Sequence, residues 1–243
     1  MVKLATVDIE EYIKLYNKGL TMDDIEPLKN QTYKIFKVSK KADVRIIDRT
    51  LTYSNPNAFA KIKYFVQSNP YFYMIPMKTI NETIVGFILR GVTKSEYSTI
   101  TKEFSEYKKK VPFMFGFDST FKKLDESEKC YPIVVCEGCK DCMVLKKYYP
   151  FVVANNTSSM GLNSVILRNM SDKFILAYDN DSAGQEGMDK DSKILRQSGA
   201  FVQRLSLDKE FKDCADYVGH PEKLKGLIHQ LKSKVKVLYK SNW

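Results

Sequence analysis

The sequence predicts an α/β protein, α+β overall, in which a mostly parallel sheet flanked by helices follows a mixed α+β N-terminal subdomain. From about residue 128, short apolar runs alternate with helix-like segments, a pattern typical of a parallel sheet covered by helices. Before that point, short alternating runs are interspersed with basic residues, which indicates strands with a basic face. We therefore predict a basic N-terminal subdomain over 1–128, an α/β domain over 129–220, and a basic C-terminal helix and tail over 221–243.

The N-terminal subdomain contains signals for several strands and one helix. Apolar residues alternate between Gln31 and Tyr53, and residues 71–77 and 83–92 predict a strand pair. Residues 95–105 are compatible with one further strand. A helix is predicted over 57–67, because an Asn-Pro pair stands on each side of that segment.

The second part of the chain predicts four strands separated by three helices. The strands are predicted at 131–136, 151–154, 174–178 and 201–206, and the helices at 139–149, 161–170 and 182–198. Gly199 is placed to end the third helix, since glycine is favoured just after a helix C-terminus. A basic helix is predicted over 222–235.

The net charge of +10 is unevenly distributed. Residues 31–110 contain 15 Lys and Arg against 6 Asp and Glu, whereas residues 131–220 contain 11 against 12. Such a basic block predicts a polyanionic partner such as nucleic acid, because phosphates bind lysine and arginine with release of counterions. The alternative is a solvated, lysine-rich surface. No apolar run approaches the ~18 residues of a membrane span, and the first residues lack a signal-peptide pattern, so we expect a cytoplasmic protein with no membrane partner.

Four of the five cysteines are grouped in a way that resembles a metal-ligand run. Cys136, Cys139 and Cys142 have two-residue spacings, and Cys130 lies just upstream. A strand over 131–136 would hold Cys130 roughly 20 Å from Cys136, and no fourth ligand is near the other three. We therefore expect no zinc site and no disulfide framework.

Acidic residues follow three of the predicted strands. Glu137 follows the first strand, Asp179 and Asp181 follow the third, and Asp213 and Asp216 follow the fourth. Carboxyl ends of parallel strands meet at one edge of a sheet, and carboxylates gathered there repel one another unless a cation neutralises them. Mg²⁺ or Mn²⁺ is the fitting cation, because hard divalent ions prefer oxygen ligands.

Other interpretations of these acidic residues remain open to different degrees. Asp141, Asp181, Asp213 and Asp216 are all placed to stabilise helix N-termini. For Asp141 and Asp216 this structural role is as well supported as a role in a metal site. An EF-hand is excluded, because Ala183 and Lys190 occupy two of its ligand positions. A haloacid-dehalogenase phosphatase would leave Glu137 without a role.

Three motifs together resemble the Toprim domain, which is shared by DnaG-type primases, topoisomerases and OLD-family nucleases. They are Glu137-Gly-x-x-Asp141, Asp179-x-Asp181-x-Ala-Gly184 and Lys212-Asp-x-x-Asp216. The resemblance implies that Glu137, Asp179 and Asp181 are catalytic, that these three and Asp213 bind metal, and that Asp141 and Asp216 support them. Glu137 is either a metal ligand or the general base.

Upstream segments resemble the RNA polymerase domain of DnaG-type primases. The segments are 74–91, with Met-Ile-Pro-Met and Gly-Phe-Ile-Leu-Arg, and Lys110-Val-Pro-Phe-Met-Phe-Gly-Phe117. In this resemblance Arg90, Lys94 and Lys110 would face template or nucleotide. Such primases usually begin with a zinc-binding domain, whereas residues 1–128 contain neither cysteine nor histidine, and no helicase phosphate-binding loop is present.

The resemblance implies a primase catalytic core, an enzyme of the DNA-directed RNA polymerase type that makes RNA primers by metal-dependent nucleotidyl transfer. Its expected partners are a single-stranded DNA template, NTPs, and a separate helicase or zinc-domain protein in a bacterial cell, with a phage origin suggested by the reduced architecture. Two alternatives remain. A Toprim-type nuclease would cleave DNA without nucleotides, and a replication accessory protein would bind single-stranded DNA without turnover.

Overall fold

The structure is a computed structural model of the 243-residue chain. It describes the backbone of five N-terminal strands, and residues 114–117, 131–155, 160–161 and 163–240 with their side chains. Contacts divide the chain into two units, one holding the five strands and the other holding the described residues from Met114 onward. The division into three domains stays a prediction.

The first unit contains an antiparallel sheet in which the strands lie in chain order. The strands are β1 (Ala5–Val7), β2 (Ile35–Ser39), β3 (Tyr71–Lys78), β4 (Ile84–Gly91) and β5 (Tyr97–Thr101). The predicted strand pair is β3 and β4, and the strand compatible with 95–105 is β5, so both predictions are confirmed. Among the described residues, β2 pairs with β3 as far as Met74, so Pro76 is paired only on the side of β4, where proline is tolerated. The helix predicted at 57–67 lies outside the described residues.

The second unit contains a four-stranded parallel sheet with the order β7-β6-β8-β9. Its strands are β6 (Ile133–Cys136), β7 (Val152–Ala154), β8 (Lys173–Ala177) and β9 (Phe201–Arg204). The helices are α1 (Cys139–Lys146), α2 (Asn163–Met170), α3 (Ser182–Gln197) and α4 (Pro221–Lys240), with a 3-10 helix at Cys214–Gly219 before α4. Every residue of β6, β7 and β8 is buried, which explains why these strands are apolar throughout, apart from Lys173 at the start of β8.

The parallel sheet flanked by helices confirms the predicted fold class, and the differences lie at element ends. Helix α1 stops at Lys146 instead of 149, and the end predicted at Tyr149 was in any case disfavoured, because Pro150 restricts the conformation of the residue before it. Helix α4 continues to Lys240 instead of 235. Its last turns are held by the buried Leu238 and by Tyr239, whose ring stacks on Tyr131 with 5.5 Å between centroids. Among the described residues, no helix has the length and apolar character that a membrane crossing requires.

Gly199 ends α3 as predicted. Its φ of 83° lies in the left-handed region, which glycine adopts without a steric cost. Its N–H donates to the Arg196 carbonyl at 3.0 Å, and the Ala200 N–H donates to the Leu195 carbonyl at 3.0 Å. This pair of bonds is a Schellman motif, and it turns the chain directly into β9.

Candidate active site

The turn after β6 contacts the turn after β8 at one edge of the parallel sheet. The Asp179 N–H donates to Oε1 of Glu137 at 3.1 Å. The turn after β8 is also joined to the segment after β9, because the Asn180 N–H donates to the Lys212 carbonyl at 2.6 Å. Three chain segments distant in sequence therefore meet at the carboxyl ends of β6, β8 and β9, as the sequence predicts.

The two carboxylate oxygens of Asp181 have different partners, a backbone N–H of α3 and the Lys212 ammonium. One carboxylate oxygen, Oδ1, accepts a bond from the Gly184 N–H at 2.9 Å and so caps the N-terminus of α3. The other, Oδ2, lies 3.1 Å from Nζ of Lys212, which also lies 3.5 Å from Oδ2 of Asp179. The predicted cap is therefore present, and it leaves one oxygen of Asp181 directed toward Asp179 and Lys212.

Asp213, Asp216 and Asp141 surround the start of the 3-10 helix. Asp213 caps that helix by accepting a bond from the Asp216 N–H at 2.9 Å, and Asp216 accepts a bond from the Lys212 N–H at 3.1 Å. Asp141 is buried in the first turn of α1, and its Oδ1 accepts a bond from the Ala215 N–H at 3.0 Å. The carboxylate of Asp141 therefore holds α1 against the 3-10 helix instead of capping α1.

The carboxylates raise one another's pKa values. Burial, followed by repulsion from Asp179, raises the pKa of Glu137 to about 7. Burial and repulsion from Asp213 raise the pKa values of Asp179 and Asp141. Asp181 differs, because the Gly184 N–H and the Lys212 ammonium lower its pKa. The site thus carries more negative charge than the protein compensates, which is the condition that favours binding of an added cation.

The raised pKa of Glu137 predicts that the metal-free protein loses stability as the pH rises. Between about 4.5 and about 7 the folded state holds a proton on Glu137 that the unfolded chain has lost, so raising the pH across this window favours unfolding. Urea unfolding of the metal-free protein at pH 5 and pH 8 measures the effect. Glu137→Gln, which cannot ionise, should show a smaller decrease than the wild type. An equal decrease in both proteins would contradict the assignment.

The donor set fits a hard divalent cation. Among the described residues, no three Asp, Glu, His or Cys side chains already converge on one point that could hold a metal ion. The carboxylates are nevertheless all oxygen donors, and the absence of a side chain at Gly184 lets Glu137 and the Asp179 carbonyl approach the start of α3 closely. A Cβ at Gly184 would lie 2.6 Å from Oε1 of Glu137 and would clash with the Asp179 carbonyl. Cys136, Cys139, Cys142 and Cys214 are buried and form no disulfide, and the Cys136 thiol donates to the Val153 carbonyl at 3.3 Å.

The predicted basic residues belong to the other unit or fall outside the described part of the chain. Arg90 lies on β4, where its backbone pairs with Tyr73 of β3 and Tyr97 of β5. Lys94 and Lys110 lie outside the described residues. The assignment of these three residues to template or nucleotide binding stays a prediction.

The structure adds positioning contacts that the sequence analysis missed. Tyr178 directly precedes Asp179, and its hydroxyl donates to Oδ2 of the buried Asp191 at 2.7 Å. The same oxygen accepts a bond from the Met160 N–H at 2.7 Å. Asp191 therefore anchors the residue before Asp179 to α3. The spacing of Tyr178 and Asp191 gave no local signal, because their contact depends on the packing of α3 on the sheet.

Residues 134–218 match the protein family described as Toprim-like. Among solved structures, a DnaG catalytic core is similar with a TM-score of 0.63 at 16% identity, over 96% of this chain and 74% of the other. The zinc-binding and RNA polymerase domains of the Aquifex aeolicus primase give 0.60 at 19% identity, over 90% of this chain and 54% of the other. The primase fragment of the bacteriophage T7 primase-helicase gives 0.53 at 16% identity, over 96% and 74%. No curated protein matches the sequence.

These likenesses establish the fold. The chain has the fold of DnaG-type primase catalytic cores, and its second unit contains the Toprim-like region. The acidic residues at the carboxyl edge of the parallel sheet, from Glu137 to Asp216, all lie within the matched range 134–218. The family resemblance drawn from the three motifs is confirmed at this level.

Proposed function

We propose that this chain is a primase-type nucleotidyltransferase that makes short RNA primers on single-stranded DNA. The observation that carries the proposal is the group of carboxylates from three strand ends at the edge of a Toprim-like sheet, within the fold of a primase catalytic core. The proposal includes a template and NTPs as ligands. One similar structure is a DnaG catalytic domain bound to single-stranded DNA, and another is part of a primase-helicase, so a separate helicase is a proposed partner.

Mg²⁺ or Mn²⁺ would be held by Glu137, Asp179, Asp181 and Asp213. When bound, the cation stabilises the charge of a nucleoside triphosphate and of an attacking 3′-hydroxyl. The alternative role for Glu137 is that of general base, and in the metal-free protein burial and repulsion from Asp179 raise its pKa to about 7. Asp181 remains ionised and is held by the N-terminus of α3. Asp141 and Asp216 would position the segment of Lys212 and Asp213 through backbone hydrogen bonds.

The basic residues of the N-terminal part of the chain would bind the template. The excess of basic residues over 31–110 would hold the template backbone, with Arg90, Lys94 and Lys110 near template or nucleotide. The reaction would take place in the cytoplasm of a bacterium, with a phage-encoded origin as part of the proposal. A zinc-domain protein would be a second chain that assists template choice.

De novo synthesis on a mixed-sequence single-stranded DNA tests the proposal. The assay uses labelled NTPs with Mg²⁺ or Mn²⁺, the full chain, and an Asp179→Ala/Asp181→Ala variant, and it follows the integrity of the template in parallel. Short labelled products from the wild type that are absent with the variant are expected. A degraded template would instead identify a nuclease. An intact, bound template without product, even after a helicase or zinc-domain protein is added, would identify a binding protein.

A further inference from the structure

A single lysine ammonium lies between the two aspartates that follow β8. Nζ of Lys212 is 3.1 Å from Oδ2 of Asp181 and 3.5 Å from Oδ2 of Asp179, and its side chain is 60% exposed. These are oxygens that a divalent cation would need. Because an ammonium and a divalent cation repel each other strongly at such short distances, both cannot occupy the space between the two carboxylates.

The backbone of Lys212 is held on both sides, whereas among the residues that the structure describes its ammonium contacts the two aspartates. The Lys212 carbonyl accepts a bond from the Asn180 N–H at 2.6 Å, and the Lys212 N–H donates to Oδ2 of Asp216 at 3.1 Å. The start of the side chain is thus fixed beside the site. The long aliphatic stem allows the ammonium to leave while the backbone remains in place.

We propose that Lys212 is a built-in competitor of the divalent cation, neutralising Asp179 and Asp181 in the metal-free protein and leaving when metal binds. The inference rests on the proposed function, in which that cation serves nucleotidyl transfer. The same contact has two opposite consequences. It stabilises the metal-free site against carboxylate repulsion, and it weakens metal affinity by requiring that the ammonium be displaced.

Lys223 provides a matched control. Its Nζ also bridges two carboxylates, at 3.3 Å from Asp208 and 3.2 Å from Glu210, and its side chain is 54% exposed. Neither of these carboxylates belongs to the candidate site. If loss of any bridging lysine changed metal binding through the overall charge of the protein, then Lys223→Met would act like Lys212→Met.

The test is a Mn²⁺ titration of the full-length chain, with free Mn²⁺ followed by electron paramagnetic resonance. We expect Lys212→Met to bind Mn²⁺ about three- to tenfold more tightly than the wild type, the range expected from loss of two solvent-exposed ion pairs. Lys212→Arg, which keeps the charge, should bind within about twofold of the wild type, and Lys223→Met should bind like the wild type. In thermal unfolding without metal, Lys212→Met should be less stable than the wild type.

Equal or weaker Mn²⁺ binding by Lys212→Met, or equal tightening in Lys223→Met, would overturn the proposal. Absence of Mn²⁺ binding by all four proteins would overturn it as well. The titration is independent of primer synthesis, so the two proposals can fail separately. Tighter binding by Lys212→Met in a protein that makes no primers would leave the inference standing and remove the primase assignment.

Discussion

Asp179→Asn is expected to lower primer synthesis at least ~10³-fold, because loss of one charged metal ligand removes several kcal/mol of charge stabilisation in the transition state. The structure also predicts that this variant is more stable than the wild type when no metal is bound. Burial and repulsion from Asp213 raise the pKa of Asp179, so a neutral side chain of the same shape relieves an unfavourable charge. The melting temperature of the metal-free protein should therefore rise while activity is lost.

Asp189→Asn is the matched control for this prediction. Asp189 lies on α3, its side chain is 69% exposed, and it pairs with Arg204 at 2.6 Å away from the site. An exposed pair of this kind contributes about 0–1 kcal/mol, so its loss should leave both synthesis and melting temperature close to those of the wild type. Activity retained by Asp179→Asn would contradict the assignment of Asp179 as a ligand. A fall in melting temperature would contradict the electrostatic argument.

Gly184→Ala is expected to destabilise the protein by about 1–3 kcal/mol, the usual effect of placing a methyl group in occupied space. The new Cβ would clash with the Asp179 carbonyl and would lie 2.6 Å from Oε1 of Glu137. Relief of these contacts requires movement of the two residues that the proposed reaction needs most. Primer synthesis should therefore fall. The melting temperature should fall as well, by about 2–4 °C for each kcal/mol of stability lost.

Gly226→Ala should act in the opposite direction. Gly226 also lies within a helix, α4, and a Cβ there would meet no atom of another described part of the chain within 4 Å. Alanine is favoured over glycine in a helix interior by about 0.5–1 kcal/mol, so this variant should melt at a higher temperature with unchanged synthesis. Both changes add one methyl group to a helical glycine, and they differ in what surrounds it. Equal effects would show that Gly184 has no steric role.

Local patterns were sufficient to predict most elements of the second unit. The buried strands β6 and β8 are apolar apart from Lys173, and α3 is capped by Asp181 and terminated by Gly199, where capping chemistry depends only on neighbouring residues. The end of α4 was placed five residues too early. The contacts that extend it, between Tyr239 and Tyr131, join residues more than a hundred positions apart.

For the candidate site, too, some features could be predicted from local sequence and others depend on packing. Sequence spacing was enough to predict that Glu137, Asp179 and Asp181 lie close together, because acidic residues directly after parallel strands lie at one edge of the sheet. It could not show that Asp141 holds the 3-10 helix, or that Asp191 anchors Tyr178. Those bonds exist only after α1 and α3 pack against their neighbours.

By itself the sequence determined the fold class, the order of the four parallel strands along the chain, and the acidic residue types at three strand ends. Periodicity, capping and turn chemistry operate over a few residues, so a single chain reveals them. Only the tertiary structure decided that the Lys212 ammonium lies between Asp179 and Asp181, and that Gly184 leaves room for Glu137. Charge and space in this site depend on distances between segments about 30 to 75 residues apart, and packing alone sets those distances.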